Sequence, residues 1–149
     1  MNPDLGMVIV QDTREQRPFI FECNTVVRKL AVGDYSLLNF ENRITIERKS
    51  VGDLFATLGK GRDRFIREVT AMSKFEFKAI VIEGDFDDIK AGYHFSQTHP
   101  NSVIGSLLTF SIRYGLHVFF CGNYENARRI TLELLKKIYH ERRGNNYAP

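Results

Sequence analysis

From residue 77 onward the chain alternates short apolar runs with longer segments of helical period, and this restricts its fold more than any other feature. Residues 77–82 and 116–120 read as buried strands. Asn101 or Ser102 can cap a helix that reaches Tyr114, where Gly115 stops it. Asn123 can cap a long last helix that runs to about Arg142 and is stopped by Gly144. Residues 86–100 read as irregular, with one short helical turn.

The first half is richer in strands. Residues 7–10 form an apolar run ending at Gln11-Asp12, and residues 13–18 form a polar loop ending in Pro18. Residues 26–31 and 34–38, divided by Gly33-Asp34, read as two strands or one bent strand. Residues 39–42 read as a hairpin turn and residues 43–49 as an alternating strand. Ser50 can cap a helix to Leu58, stopped by Gly59, and a second helix is expected over residues 64–74. Strands first, then helices alternating with strands, predict an α/β fold with a mixed central β-sheet flanked by helices. The 149 residues, 43% of them hydrophobic, suit one domain with a core over about residues 7–143.

Composition excludes several classes. With 26% charged residues and a net charge of +3, the chain is neither disordered nor strongly basic, so a polyanionic partner is permitted but not demanded. Cys23 and Cys121 show no metal-type spacing and read as reduced thiols. No apolar run approaches the roughly 20 residues that a membrane helix needs. Met1-Asn2-Pro3-Asp4 lacks a signal-peptide pattern. A cytoplasmic protein, bacterial or in a phage host, is expected, or a nuclear one if the cell is eukaryotic.

The strongest chemical signal is Ile44-Thr45-Ile46-Glu47-Arg48-Lys49. Alternation along a strand puts Ile44, Ile46 and Arg48 on one face and Thr45, Glu47 and Lys49 on the other. Glu47 and Lys49 then point the same way, about 7 Å apart. A carboxylate can hold a hard divalent cation, and a lysine can orient water and offset charge growing on a phosphate. If residues 34–38 and 43–49 pair as a hairpin, Asp34 converges on Glu47, with Gly33 letting the backbone bend close to metal or DNA. Asp12 and Glu15 form a further acidic pair at the end of the first strand, and Asp53 falls in the first turn of the helix after Lys49. Arg14, Lys60, Arg62, Arg64 and Arg67 are candidates for holding flanking phosphates. Glu83 and Asp85 read as a strand-end boundary, and His94 and His99 as surface residues. On the last helix Ala127, Ile130, Leu134 and Ile138 form an apolar face that Leu132, Leu135 and Tyr139 widen. Such a helix is either wedged into its own domain or shared with a partner subunit.

Together Asp12-Thr13-Arg14-Glu15, Gly33-Asp34-Tyr35, Glu47-Arg48-Lys49 with Asp53, Gly61-Arg62 and Met72-Ser73 resemble the nuclease domain of the XPF-type (ERCC4-like) structure-specific endonucleases. The resemblance covers most of residues 7–140 and is strongest over 8–75. It implies a restriction-endonuclease-like core and a Mg²⁺ site, with Mn²⁺ able to substitute. Asp34 and Glu47 would hold the metal, helped by the Arg48 main-chain carbonyl and with Asp12 in the metal set. Lys49 would be catalytic, with Asp12, Glu15 and Asp53 as supporting acids. The implied substrate is duplex DNA near a junction with single strands, and the implied assembly a homodimer or heterodimer, for which the last helix is suited. Family enzymes usually carry a tandem helix-hairpin-helix module after this domain. Only six residues follow Arg143, so a stand-alone domain is expected. The alternatives are a catalytically silent DNA-binding partner subunit and a metal nuclease with a different substrate. Silent partners lose the signature residues, whereas Asp34, Glu47, Lys49 and Asp53 are all present here.

Overall fold

The computed structural model describes residues 2–145. In chain order the elements are β1 (Ile9–Asp12), β2 (Thr25–Arg28), β3 (Tyr35–Leu37), β4 (Ile44–Lys49), α1 (Val51–Leu58), α2 (Arg62–Met72), β5 (Phe77–Ile82), α3 (Phe86–Ala91), α4 (Pro100–Tyr114), β6 (His117–Phe120) and α5 (Tyr124–Asn145). The six strands form one sheet in the order β2-β1-β3-β4-β5-β6. Strands β1 and β2 are parallel, β3 is antiparallel to both β1 and β4, and β4, β5 and β6 run parallel.

The period-2 pattern of each strand divides the core between the two sheet faces. Ile9, Tyr35, Leu37, Ile44, Ile46, Ala79 and Val81 pack with Ala127, Leu132 and Leu135 of α5. On the other face Ile80 and Ile82 pack with Leu54, Phe55 and Leu58 of α1, Phe65 and Val69 of α2, and Val103, Leu107 and Phe110 of α4. The middle strand β4 contributes to both layers, so Ile44 and Ile46 face α5 while Glu47 and Lys49 face α1 and α2.

The local signals set most boundaries. Ser50 caps α1 by accepting the Asp53 N–H, and the Asn123 side chain accepts the Asn126 N–H at the start of α5. The cap of α4 differs from expectation. It is His99, whose Nδ1 accepts from Asn101 N–H, because Pro100 at the first helical position has its φ fixed for the helix. Residues 86–91 form a true short helix, fixed by a reciprocal capping box between Asp85 and Asp88. Gly144 does not stop α5, which continues to Asn145. Cys23 and Cys121 are both free thiols. No described helix is long and apolar enough to cross a membrane.

Candidate active site

The site lies where the carboxyl ends of β1 and β4 meet the start of β3. Tyr35 pairs with Ile46, and extending that antiparallel register by one residue sets Asp34 opposite Glu47. Gly33 makes this possible and itself lines the cleft described below. Its φ is +81°, and a Cβ there would meet Thr45 Oγ1 at 1.9 Å, so the close neighbour is β4 itself. Two bonds then lock Asp34. Its N–H donates to the Ile46 carbonyl at 2.9 Å, and its Oδ2 accepts the Arg48 N–H at 2.8 Å. By strand alternation the Arg48 carbonyl lies on that same edge, beside Asp34.

Glu47, 8% exposed, has Lys49 as its ion partner, with Nζ 3.4 Å from Oε1. Asp34, Glu47 and Lys49 line a cleft of about 400 Å³ with Asp12, Arg14, Arg64, Phe65 and Glu68. Burial pushes Glu47 up to about 8, and the nearby charge of Asp34 adds to the rise. Burial likewise pushes Asp34 up to about 7, with Glu15 and Asp12 adding to it, against the Arg48 N–H and Lys49.

These acids fit a divalent cation. Glu15 carries a buried Oε2 with no hydrogen-bond partner, and the buried Glu47 lies opposite the half-buried Asp34, with Lys49 as the one ion partner of Glu47. The charge is short of a cation. Among the described residues no three His, Cys, Asp or Glu side chains group closely enough to cage a metal. Mg²⁺ needs no such cage, since it takes one or two carboxylates and keeps several waters.

The other expected site residues divide sharply. Asp12, 2% exposed, accepts the Leu30 N–H at 2.8 Å and Arg14 Nε at 2.7 Å. Burial raises its carboxyl, but the bonds from Arg14 and Leu30 outweigh burial and hold it below the ordinary value. Its oxygens are therefore engaged already, which favours a supporting role over direct ligation. Glu15 and Glu83 both bind the Arg48 guanidinium, Glu15 at 2.9 Å. Arg48 thus points away from the cleft, against the Phe19 and Tyr124 rings at 5.2 Å. Asp53 is exposed at the start of α1, lining a second cleft with Glu15, Asp34, Glu47 and Lys49.

Of the basic candidates, Arg14 and Arg64 line the first cleft. Arg62 is turned to α4, where it donates to Ser106 Oγ at 2.5 Å. Lys60 and Arg67 are exposed but line neither cleft. The Arg48 clamp is the group that sequence reasoning missed. Its signal was available: an arginine sharing a strand face with Ile44 and Ile46 must find acids, and Glu83 follows the neighbouring strand.

The ERCC4 domain family profile matches residues 11–134. The chain is 28% identical over 114 residues to the 3'-flap repair endonuclease Xpf of Saccharolobus solfataricus, covering 76% of this chain and 43% of that protein. It is 25% identical over 138 residues to a Methanocaldococcus jannaschii protein named for ATP-dependent RNA helicase activity, covering 91% of this chain and 16% of the relative. The chain therefore spans less than half the length of these relatives. Among solved structures, XPF from Aeropyrum pernix superposes with a TM-score of 0.71 at 17% identity, over 93% of this chain and 67% of that one. The same protein in complex with DNA gives 0.70 at 18% identity, over 90% and 65%. The fold is thus the restriction-endonuclease-like fold of the XPF nuclease domain, and the chain belongs to the ERCC4 domain family.

Proposed function

We propose that this chain is a metal-dependent DNA endonuclease that hydrolyses phosphodiester bonds in branched duplexes such as flaps or forks. The observation that carries the reading is the pairing of two carboxylates, half-buried Asp34 just before β3 and buried Glu47 on β4, with Lys49 beside them. Support for DNA as substrate comes from the relatives: one is named a 3'-flap repair endonuclease, and one fold neighbour was solved with DNA.

Asp34 and Glu47 would hold Mg²⁺, or Mn²⁺ in its place, with the Arg48 carbonyl and water completing the sphere. The bound ion would supply Lewis acidity at the phosphate and an acidified water. The chain's own groups do the rest. Lys49 places a positive charge where negative charge grows on the phosphate oxygens. Glu15 and Glu83 fix Arg48, and so fix the strand end that carries Glu47 and Lys49. Asp12 orients Arg14 at the cleft, and Arg64 stands on the α2 side; both would hold flanking phosphates.

Assembly as a homodimer or heterodimer through α5 belongs to the same proposal. Ile130 and Leu134 are only half-buried and line a surface groove with Phe119. Sedimentation that shows only monomer, alone and with related chains, would overturn that part.

Replacing Asp34 or Glu47 by Ala is expected to abolish cutting while leaving DNA binding largely intact. An Asp34→Ala protein that cuts flap DNA at the wild-type rate refutes the metal assignment.

A further inference from the structure

A second cleft of about 400 Å³ opens on the other side of the same carboxylates, bounded by residues 14–17, Ser50 and Asp53. Its rim carries a guanidinium that the proposed chemistry does not use. Arg17 is exposed, and among the described residues no carboxylate pairs with it. It is nevertheless not a free surface chain. Its guanidinium carbon lies 4.4 Å from the centroid of the Tyr124 ring, a cation–π contact. That ring is itself fixed: its hydroxyl donates to the Pro18 carbonyl at 2.6 Å, and Phe19 packs against it at 5.1 Å.

Two guanidiniums share this one ring, since Arg48 lies 5.2 Å from it. Their surroundings differ. Arg48 is matched by two largely buried acids, Glu15 and Glu83. Arg17 is held in place with its charge unmatched, on the rim of a cleft that also contains Asp34, Glu47 and Lys49. A guanidinium held in this way is exposed and has no acceptor among the described residues, so its donors stay available. Phosphate oxygens suit its fork geometry.

We infer that Arg17, seated on the Tyr124 ring, is a second phosphate anchor, which receives the DNA backbone on the opposite side of the Asp34–Glu47 pair from Arg64. The inference rests on the nuclease reading and extends it by giving the strand a path: past Arg64, over the paired carboxylates, and onto Arg17. Tyr124 is a positioning residue, acting through Arg17.

The test is equilibrium binding of a labelled 3'-flap DNA in EDTA across a range of salt concentrations, with cleavage in Mg²⁺ read in parallel. Arg17→Ala is expected to weaken binding about five- to tenfold and to lower the slope of log affinity against log salt by about one. Arg17→Lys keeps the slope. Tyr124→Leu reproduces the Arg17→Ala weakening although the charge remains, and Tyr124→Phe, which keeps the ring, restores binding. An Arg17→Ala protein with wild-type affinity and slope overturns the anchor. Tyr124→Leu that lowers thermal stability but leaves binding unchanged overturns the positioning role. A wild-type protein that binds with this Arg17-dependent slope yet never cuts supports the anchor and overturns the nuclease reading alone. Failure of the wild type to bind DNA overturns both.

Discussion

At the scale of single residues, Asp34 and Glu47 form a pair that works against folding. Burial pushes the Glu47 carboxyl up to about 8, against an ordinary 4.5. As pH rises the unfolded chain loses that proton first, so the native state holds the extra proton between those values and loses stability across the window. Asp34 acts in the same direction, from 3.8 to about 7. Glu47→Gln removes the buried charge. In EDTA above about pH 8 it is expected to melt a few degrees higher than wild type, on the order of 1–2 kcal/mol, with the difference fading below the ordinary carboxylate range. Mg²⁺ should then raise the melting temperature of wild type and not of the Gln variant. A Gln variant less stable than wild type in EDTA would contradict this account. The basic residues separate in a similar way. Arg64→Ala should weaken DNA binding and lower its salt slope by about one. Arg62→Ala should spare the slope and instead cost roughly 1–2 kcal/mol, through its lost bond to Ser106. Equal slopes for the two variants would refute the division. Alternation along β4 was enough to place Glu47 and Lys49 together. It could not show that Arg62 turns to α4, because that contact joins residues 44 positions apart.

At the scale of elements, the site depends on one hairpin and one glycine. Gly33 joins a left-handed φ to a close approach of the buried Thr45 side chain that leaves no room for a Cβ. Gly33→Ala combines both penalties and is expected to destabilise the protein by about 2–4 kcal/mol. Activity should fall further than stability alone explains, since Asp34 is the next residue. Comparing thermal melts with cleavage rates at a temperature where the variant is folded checks this; unchanged activity in a folded Gly33→Ala protein would show that the register is not held there. The Gly33-Asp34 break was legible in the sequence, and so were the Ser50 and Asn123 caps, because each depends on chemistry within three or four residues. The His99 cap was not, since histidine is an uncommon N-cap, acting here through a ring nitrogen.

At the scale of the whole molecule, the alternation of strands and helices gave the class of fold but not the strand order. The order β2-β1-β3-β4-β5-β6 places β2 on the edge beside β1, in parallel. Such pairings are decided by long-range burial, which local patterns do not report. The consequence for function is that three acids, Asp12 at the end of β1, Asp34 just before β3 and Glu47 near the end of β4, reach one end of one sheet. The two clefts open there, on either side of Glu47 and Lys49, and this is the arrangement the proposed chemistry requires. It is tested most directly by incubating the protein with labelled single-stranded, duplex, flap and fork DNA in Mg²⁺, in Mn²⁺ and in EDTA. The account predicts cutting that needs a divalent ion and falls in duplex near the branch. Cutting that persists in EDTA, or DNA binding with no cutting in either metal, would contradict it.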